Sequence, residues 1–237
     1  MKIVVLSGAG ISAESGISTF RDADGLWENH DIMEVASYDG WKKNPQLVMD
    51  FYNQRRRQLK EVVPNIAHLA LTKLEEHFEV TIITQNVDNL HERAGSSNII
   101  HLHGKLNEVK EDKDLNDDWW GNNTEVLDWN DDLMLGERSH NGIQLRPNIV
   151  WFGEPVPNMN VAEKEVSSAD LLLVIGTSLQ VYPAAGLLHN IKHNKIHIFN
   201  TEMHPTLNEN QQHIGTACET VPKFVDDLIS NLDKIVI

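Results

Sequence analysis

The chain has 237 residues, 41% of them hydrophobic, and a formal charge of −15 at pH 7. That length suits one large domain or a core with an inserted lobe, and the acidic balance argues against a nucleic-acid partner, since neutralising phosphates takes clustered Lys and Arg. The one basic run, Arg55-Arg56-Arg57, is too short to line a groove, and no apolar run reaches membrane-spanning length.

No cleavable leader is readable ahead of the first strand, so the cytoplasm is the expected setting. Cys218 is the sole cysteine, which excludes an internal disulfide and a four-cysteine zinc site. It reads as a small buried residue.

The first predicted element is a strand over 2–6, feeding Ser7-Gly8-Ala9-Gly10-Ile11-Ser12-Ala13-Glu14-Ser15-Gly16 and then Phe20-Arg21-Asp22. A β-branched strand entering a glycine-rich turn meets a nucleotide pyrophosphate with backbone N–H groups. Gly8, Gly10 and Ala13 satisfy G-x-G-x-x-G/A. A dehydrogenase would continue into an unbroken helix, with an acidic residue about 20 positions on. Gly16 breaks that pattern here and an aromatic–arginine pair follows, so the loop is expected to hold a dinucleotide in another manner.

Asn44-Pro45 opens a helix that runs to about Lys60, by a cap followed by proline in the first turn. Ala67, Leu71, Leu74 and Phe78 stripe the next helix. Further strands are expected at 80–84, 98–102, 148–152, 171–175 and 196–200, and those at 80–84 and 171–175 are apolar on both faces, as in covered parallel strands. Pro222 is expected to open a last helix that buries Phe224, Leu228, Ile229 and Leu232.

The fold class is therefore α/β: a Rossmann-like parallel sheet with helices on both faces, over about 1–27, 78–104 and 148–237. Residues 28–77 and 105–147 do not alternate in this way and are expected to form a small inserted lobe, the second stretch largely loop.

Chemistry-bearing residues cluster at strand ends. Gln85, Asn86 and Asp88 follow the 80–84 strand, two amides and a carboxylate where a doubly wound sheet lines its crevice. A helix cap over 89–94 is the plainer use of Asn86 or Asp88. His101 and His103 share one strand face, but no third metal ligand is evident at sensible spacing. His103, before Gly104, reads as a general base, and His101 as structural. The 147–154 run, closing on Gly153, suits either a core strand or the binding of an extended peptide by strand addition. Gly176-Thr177-Ser178 and Asn200 end two more strands, where a cofactor or a helix cap would use them.

Taken together, G-A-G-I-S-A-E-S-G-I-S-T-F-R, T-Q-N-V-D-N-L-H, H-L-H-G, N-I-V-W-F-G-E, G-T-S-L-Q-V-Y-P-A-A and the Asn200 strand end resemble the sirtuins, in order and over nearly the whole chain. These are NAD-dependent protein-lysine deacylases. The resemblance implies NAD as cofactor, acyl-lysine proteins or peptides as partners, and free lysine, nicotinamide and O-acyl-ADP-ribose as products. It implies that Gly8, Ala9, Gly10, Arg21, Gln85, Asn86, Asp88, Gly176, Thr177, Ser178 and Asn200 hold NAD, with Phe20 shielding its reactive face. His103 would be the catalytic base, Asn86 would steady ribose and a water, and Asp88 would grip the nicotinamide carboxamide. Val150, Phe152, Gly153 and Glu154 would pair with the substrate backbone.

Tyr52 and Arg55 resemble the pair with which one sirtuin subclass grips malonyl- or succinyl-lysine. Three apart, they share a helix face, and a guanidinium fork with a phenol matches a carboxylate. Arg56 and Arg57 are expected to be exposed. Sirtuins usually bind a structural zinc through two C-x-x-C pairs between the H-G motif and the P-N-I-V-W-F-G strand, and this chain has none there. The lobe is expected to be zinc-free, packed around Trp119, Trp120, Trp129 and Leu133. NAD hydrolysis, ADP-ribosyl transfer and a non-catalytic NAD-sensing module are the competing functions.

Overall fold

Ile3, Val4, Val5 and Leu6 present apolar side chains to both sides of one strand, and all four are fully buried. Such a strand needs cover on both faces. In the computed structural model, residues 1–18, 26–27, 30–113, 125–205 and 207–231 are described. The first half holds β1 (Lys2–Ser7), β2 (Leu26–Trp27), β3 (His30–Asp31), α1 (Ile32–Val35), α2 (Tyr38–Lys43), α3 (Pro45–Glu61), α4 (Ile66–Leu74), β4 (Glu79–Thr84), α5 (Leu90–Ala94), β5 (Ile99–His101) and β6 (Gly104–Glu111). The second half holds β7 (Val126–Asp128), β8 (Leu145–Ile149), α6 (Met159–Ser167), β9 (Leu171–Ile175), β10 (Ile196–Asn200), β11 (Gln212–Ile214) and α7 (Ala217–Ser230).

Six strands make one parallel sheet in the order β11-β10-β9-β1-β4-β5. The winding reverses between β1 and β9, and open α/β sheets leave a crevice beyond the strand ends at such a point. Side-chain alternation divides the cover. Ile3 and Val5 pack with Leu71 and Leu74 of α4 and with Val221 and Val225 of α7. Val4 and Leu6 face the other way, onto Ala162 and Val166 of α6 and Leu187. The doubly covered α/β fold expected from the sequence is what forms. One element changes place: α4, counted with the insertion over 28–77, packs on this main sheet.

The smaller lobe has its own antiparallel sheet, in the order β7-β6-β8. Val48, Met49, Phe51, Tyr52 and Leu59 of α3 pack there with Leu106, Val109, Leu145, Ile149 and Trp151. Most of the described residues of the 105–147 stretch are loop, as expected, although β6 runs through Glu111 and pairs with β7 and β8. One expectation is corrected. The strand expected at 148–152 is β8, Leu145–Ile149, and it lies in this second sheet rather than beside β1. Its start is disguised by Arg146 and Pro147, polar or pairing-deficient residues that are nonetheless buried. Arg146 is accommodated by Glu154 and by the Trp151 ring 4.1 Å away.

The C-terminal helix also starts earlier than Pro222. Thr216 and Glu219 form a capping box, with Glu219 N donating to Thr216 Oγ1 at 3.3 Å and Thr216 N to Glu219 Oε2 at 3.0 Å. Pro222 lies inside α7; the reciprocal cap is the stronger start signal. Phe224, Leu228 and Ile229 pack on the core as expected, while Leu232 lies outside the described residues. Among the described residues no helix is long and apolar enough to cross a membrane.

Candidate active site

Beyond Ser7 the chain turns through two short 3₁₀ helices, Ala9–Ile11 and Ala13–Ser15, closed by Gly16 at φ +96°. The second glycine thus interrupts the loop where a dehydrogenase would carry a long helix. Gly8 N donates to Ile175 O at 3.0 Å and Gly10 N to Gly176 O at 2.8 Å. A Cβ on Gly10 would sit 2.6 Å from Gly176 Cα, and one on Gly176, at φ +61°, would sit 2.4 Å from Ile11 N. Bare backbone therefore lines both sides of the switch point, the surface that a dinucleotide's phosphates require. Phe20 and Arg21, expected to contribute here, lie outside the described residues.

The end of β4 meets this loop through one hydroxyl. Ser12 Oγ donates to Asp88 Oδ2 at 3.0 Å and accepts from Asn86 Nδ2 at 3.1 Å, and all three residues are buried. Asp88 Oδ1 accepts from Leu90 N at 3.0 Å, so the carboxylate also caps α5. Burial raises the Asp88 pKa, against those hydrogen bonds. Sequence reasoning did not single out Ser12, although it stands in the G-A-G-I-S run. His91 was missed too. It is buried, with Nε2 3.0 Å from Ser7 Oγ, which in turn donates to Thr84 Oγ1 at 2.9 Å.

His103 stands at the mouth, half-buried, with Nδ1 2.9 Å from the Gln85 carbonyl. A carbonyl only accepts, so Nδ1 carries the proton and Nε2 of the neutral ring keeps its lone pair. Burial lowers the His103 pKa below the usual 6.5, with the Gln85 contact opposing. The ring is thus a neutral base at pH 7. His101 is buried, with Nδ1 3.2 Å from Asn86 O and Nε2 2.7 Å from Glu92 Oε1, and so props the Asn86 backbone from behind.

Across the switch point, Gln85 Nε2 donates to Thr177 Oγ1 at 3.1 Å, and Asn200 Nδ2 reaches Thr177 O at 3.4 Å. Thr177 Oγ1 also accepts from Leu179 N at 3.2 Å, a local turn contact and not a cap on a helix after Pro183. Ser178 and Asn200 are half-buried beside it. The expected NAD residues among those described therefore gather at the carboxyl ends of β1, β4, β9 and β10.

The 150–154 segment leaves β8 as a turn. Val150 N donates to His103 O at 2.9 Å and Phe152 N to Ala36 O at 2.9 Å, and Phe152 is 43% exposed. Glu154 points inward, accepting from Trp151 N at 2.9 Å and from Arg146. Its carboxylate holds the turn from within and is not presented to a peptide.

On α3, Tyr52 and Arg55 are both buried on one face. Trp151 Nε1 donates to Tyr52 Oη at 2.9 Å, and burial raises the Tyr52 pKa, so the phenol stays protonated. The Arg55 guanidinium lies over Phe51 at 5.1 Å. Arg57 is exposed and paired with Asp132 at 2.6 Å. Arg56 is not the exposed residue expected: only 2% of it is accessible, because its nitrogens bond inside the lobe.

Sirtuin zinc, if present, would lie between β6 and β8, and the residues described there do not fit it. Glu111 is buried and accepts from Ser139 Oγ at 2.7 Å and Asn141 Nδ2 at 2.8 Å, with Lys113 Nζ at 3.0 Å. Those donors draw its pKa down to about 2, against burial. An ammonium group and neutral donors repel a cation and supply no thiolate. Among the described residues no cluster of three or more His, Cys, Asp or Glu is placed to hold a metal. Leu133 is fully buried and Trp129 packs beside it, whereas Trp119 and Trp120 lie outside the described residues.

The Sir2 family profile matches residues 8–183, well over half the chain. A protein of Helicobacter pylori called NAD-dependent protein deacylase is 65% identical over 185 residues, covering 78% of this chain and 77% of that one. The crystal structure of a Sir2 homologue in complex with NAD superposes with a TM-score of 0.85 at 36% identity, covering 98% of this chain and 90% of the other. Sir2Af2 bound to a myristoylated histone peptide gives a TM-score of 0.72 at 30% identity, covering 98% and 93%. NAD is therefore the cosubstrate, and the chain belongs to the Sir2 family as an NAD-dependent protein deacylase.

Proposed function

We propose that this deacylase favours acyl groups ending in a carboxylate, removing succinyl or malonyl from lysine in protein or peptide substrates more readily than acetyl. The observation that carries this is the Tyr52–Arg55 pair. A phenol kept protonated and a guanidinium are both sunk among aromatic rings on one face of α3, with Tyr52 bonded to Trp151 of the turn after β8. In such apolar surroundings a carboxylate is stable only against matching donors, and an acetyl methyl offers neither donor an acceptor. The acylated histone peptide on a related Sir2 protein supports acyl-lysine peptides as the substrate class. A cytoplasmic setting accords with a single cysteine.

NAD, when bound, supplies the ADP-ribosyl acceptor and releases nicotinamide. The loop of Gly8, Ala9 and Gly10, with Arg21, would hold its phosphate side, and Phe20 would shield its reactive face. Gln85, Gly176, Thr177, Ser178 and Asn200 hold the rest of the nucleotide. Asn86 and Asp88, joined through Ser12 and buried with it, would orient the reacting end. His103 takes a proton at Nε2, because Nδ1 is committed to Gln85. Val150, Phe152 and Gly153 align the peptide backbone beside it, and Glu154 supports their turn.

Arg55→Met tests the specificity. A hydrogen-bonded charge pair contributes about 1.5–3 kcal/mol, so kcat/KM on a succinyl-lysine peptide should fall about ten- to a hundredfold, and far less on the acetyl-lysine peptide. Equal losses on both peptides would refute the acidic preference.

A further inference from the structure

The face of α3 next to Tyr52 and Arg55 carries Asn53 and Arg56, and both are buried although polar. Asn53 makes a two-way pairing with a residue far along the chain: Nδ2 donates to Leu133 O at 2.8 Å, and Leu133 N donates to Asn53 Oδ1 at 2.9 Å. The same Oδ1 accepts from Arg56 Nη1 at 2.6 Å. Arg56 Nε donates to Leu106 O at 2.8 Å, on β6, and Leu106 N donates to Val87 O at 2.8 Å, between Asn86 and Asp88. One fork thus ties the acyl-facing helix to the strand that follows His103, and through it to the loop bearing Asn86 and Asp88.

A buried guanidinium held by carbonyl and amide oxygens is a costly way to stabilise a lobe. Burial draws the Arg56 pKa down to about 10, with Asp132 opposing, and Arg56 Nη2 meets no partner among the described residues. What the fork does supply is geometry. Successive residues on a helix are about 100° apart, so fixing positions 53 and 56 against Leu133 and Leu106 sets the rotation and height of positions 52 and 55.

We propose that Asn53 and Arg56 are positioning residues for acyl selectivity, a clasp that holds α3 where Tyr52 and Arg55 meet the distal carboxylate. The clasp rests on the acidic-acyl specificity proposed above and goes beyond it by naming the residues that enforce the pose. Apolar packing alone leaves helix rotation soft, since neighbouring rotations bury similar area. A displacement of about 1 Å in a positioning contact costs up to about a hundredfold in rate.

The test measures kcat and KM for succinyl-lysine and acetyl-lysine peptides, KM for NAD, and Tm, on Asn53→Ala, Arg56→Lys and Arg55→Met. For N53A and R56K the succinyl-to-acetyl ratio of kcat/KM should fall about tenfold, the loss residing mainly in succinyl-peptide KM, with KM for NAD unchanged. Lysine keeps the charge but not the fork, so R56K should fail like N53A. Asn53→Ser, which keeps an oxygen for Arg56, should retain more selectivity than N53A, and it serves if a harsher variant does not fold. Equal losses on both peptides, tracking Tm, would reduce the clasp to a brace and overturn the proposal. If R55M collapses the ratio while N53A, N53S and R56K leave it intact, the clasp alone is overturned. If R55M itself leaves the ratio unchanged, the acidic-acyl specificity fails and the clasp falls with it.

Discussion

His103→Ala is expected to lower kcat for acyl-lysine turnover by about 10²–10⁴, the usual contribution of a positioned general base, while leaving NAD binding largely intact. Among the described residues the imidazole makes one hydrogen bond, Nδ1 to the Gln85 carbonyl, and the backbone carbonyl of residue 103 would still accept from Val150 N in the variant. The 150–154 turn therefore stays in place when the ring is removed. Because burial lowers the His103 pKa below 6.5, wild-type kcat/KM should be flat near neutrality and fall only as pH drops through a value under 6.5, where the ring gains a proton. Steady-state rates across pH, with NAD affinity measured by calorimetry, check both statements. Turnover by the variant at the wild-type rate, or an activity limb centred above 6.5, would remove His103 from the base's role.

Gly104→Ala should do damage of a different kind. At φ +79° an L side chain is strained, and an added Cβ would lie 1.9 Å from Asn148 O, a backbone atom that has no rotamer by which to retreat. The left-handed conformation costs about 1–3 kcal/mol, and overpacking adds about 1–3 kcal/mol. For a chain of this size that lowers Tm by roughly 5–20 °C. The clash falls where β6 begins, opposite Ile149 of β8, so relieving it pushes apart the strand after His103 and the strand before Val150. Peptide KM should rise along with the drop in Tm, whereas KM for NAD should change less, since Gly10 and Gly176 lie at the ends of other strands. A thermal melt and paired KM measurements decide it; an unchanged Tm would show that the backbone can yield there.

Legibility in the sequence followed burial. β1, β4, β9 and β10 announce themselves because helices cover both their faces, so apolar residues dominate their runs. β6 is harder: its buried positions are Leu106, Val109 and Glu111, and the register with β8 shifts between Gly104 and Val109. A bulge breaks the period of two on which strand recognition depends, and one inward residue is a carboxylate that meets Ser139, Asn141 and Lys113. β11 offers just Gln212-His213-Ile214, a polar edge. Around the site, Gln85, Asn86, Asp88 and His103 were legible because strand-end positions in this architecture face a crevice. Ser12 and Arg56 were not, since their importance lies in partners distant in the chain: Ser12 in Asn86 and Asp88, Arg56 in Leu106.

Product stoichiometry probes the whole arrangement at once. Mass spectrometry of a reaction containing the enzyme, NAD and one succinyl-lysine peptide should find free lysine peptide, nicotinamide and O-succinyl-ADP-ribose in equal amounts, and nicotinamide should stop appearing when the peptide is left out. Nicotinamide released at a comparable rate without peptide, with no acylated ADP-ribose formed, would contradict the account.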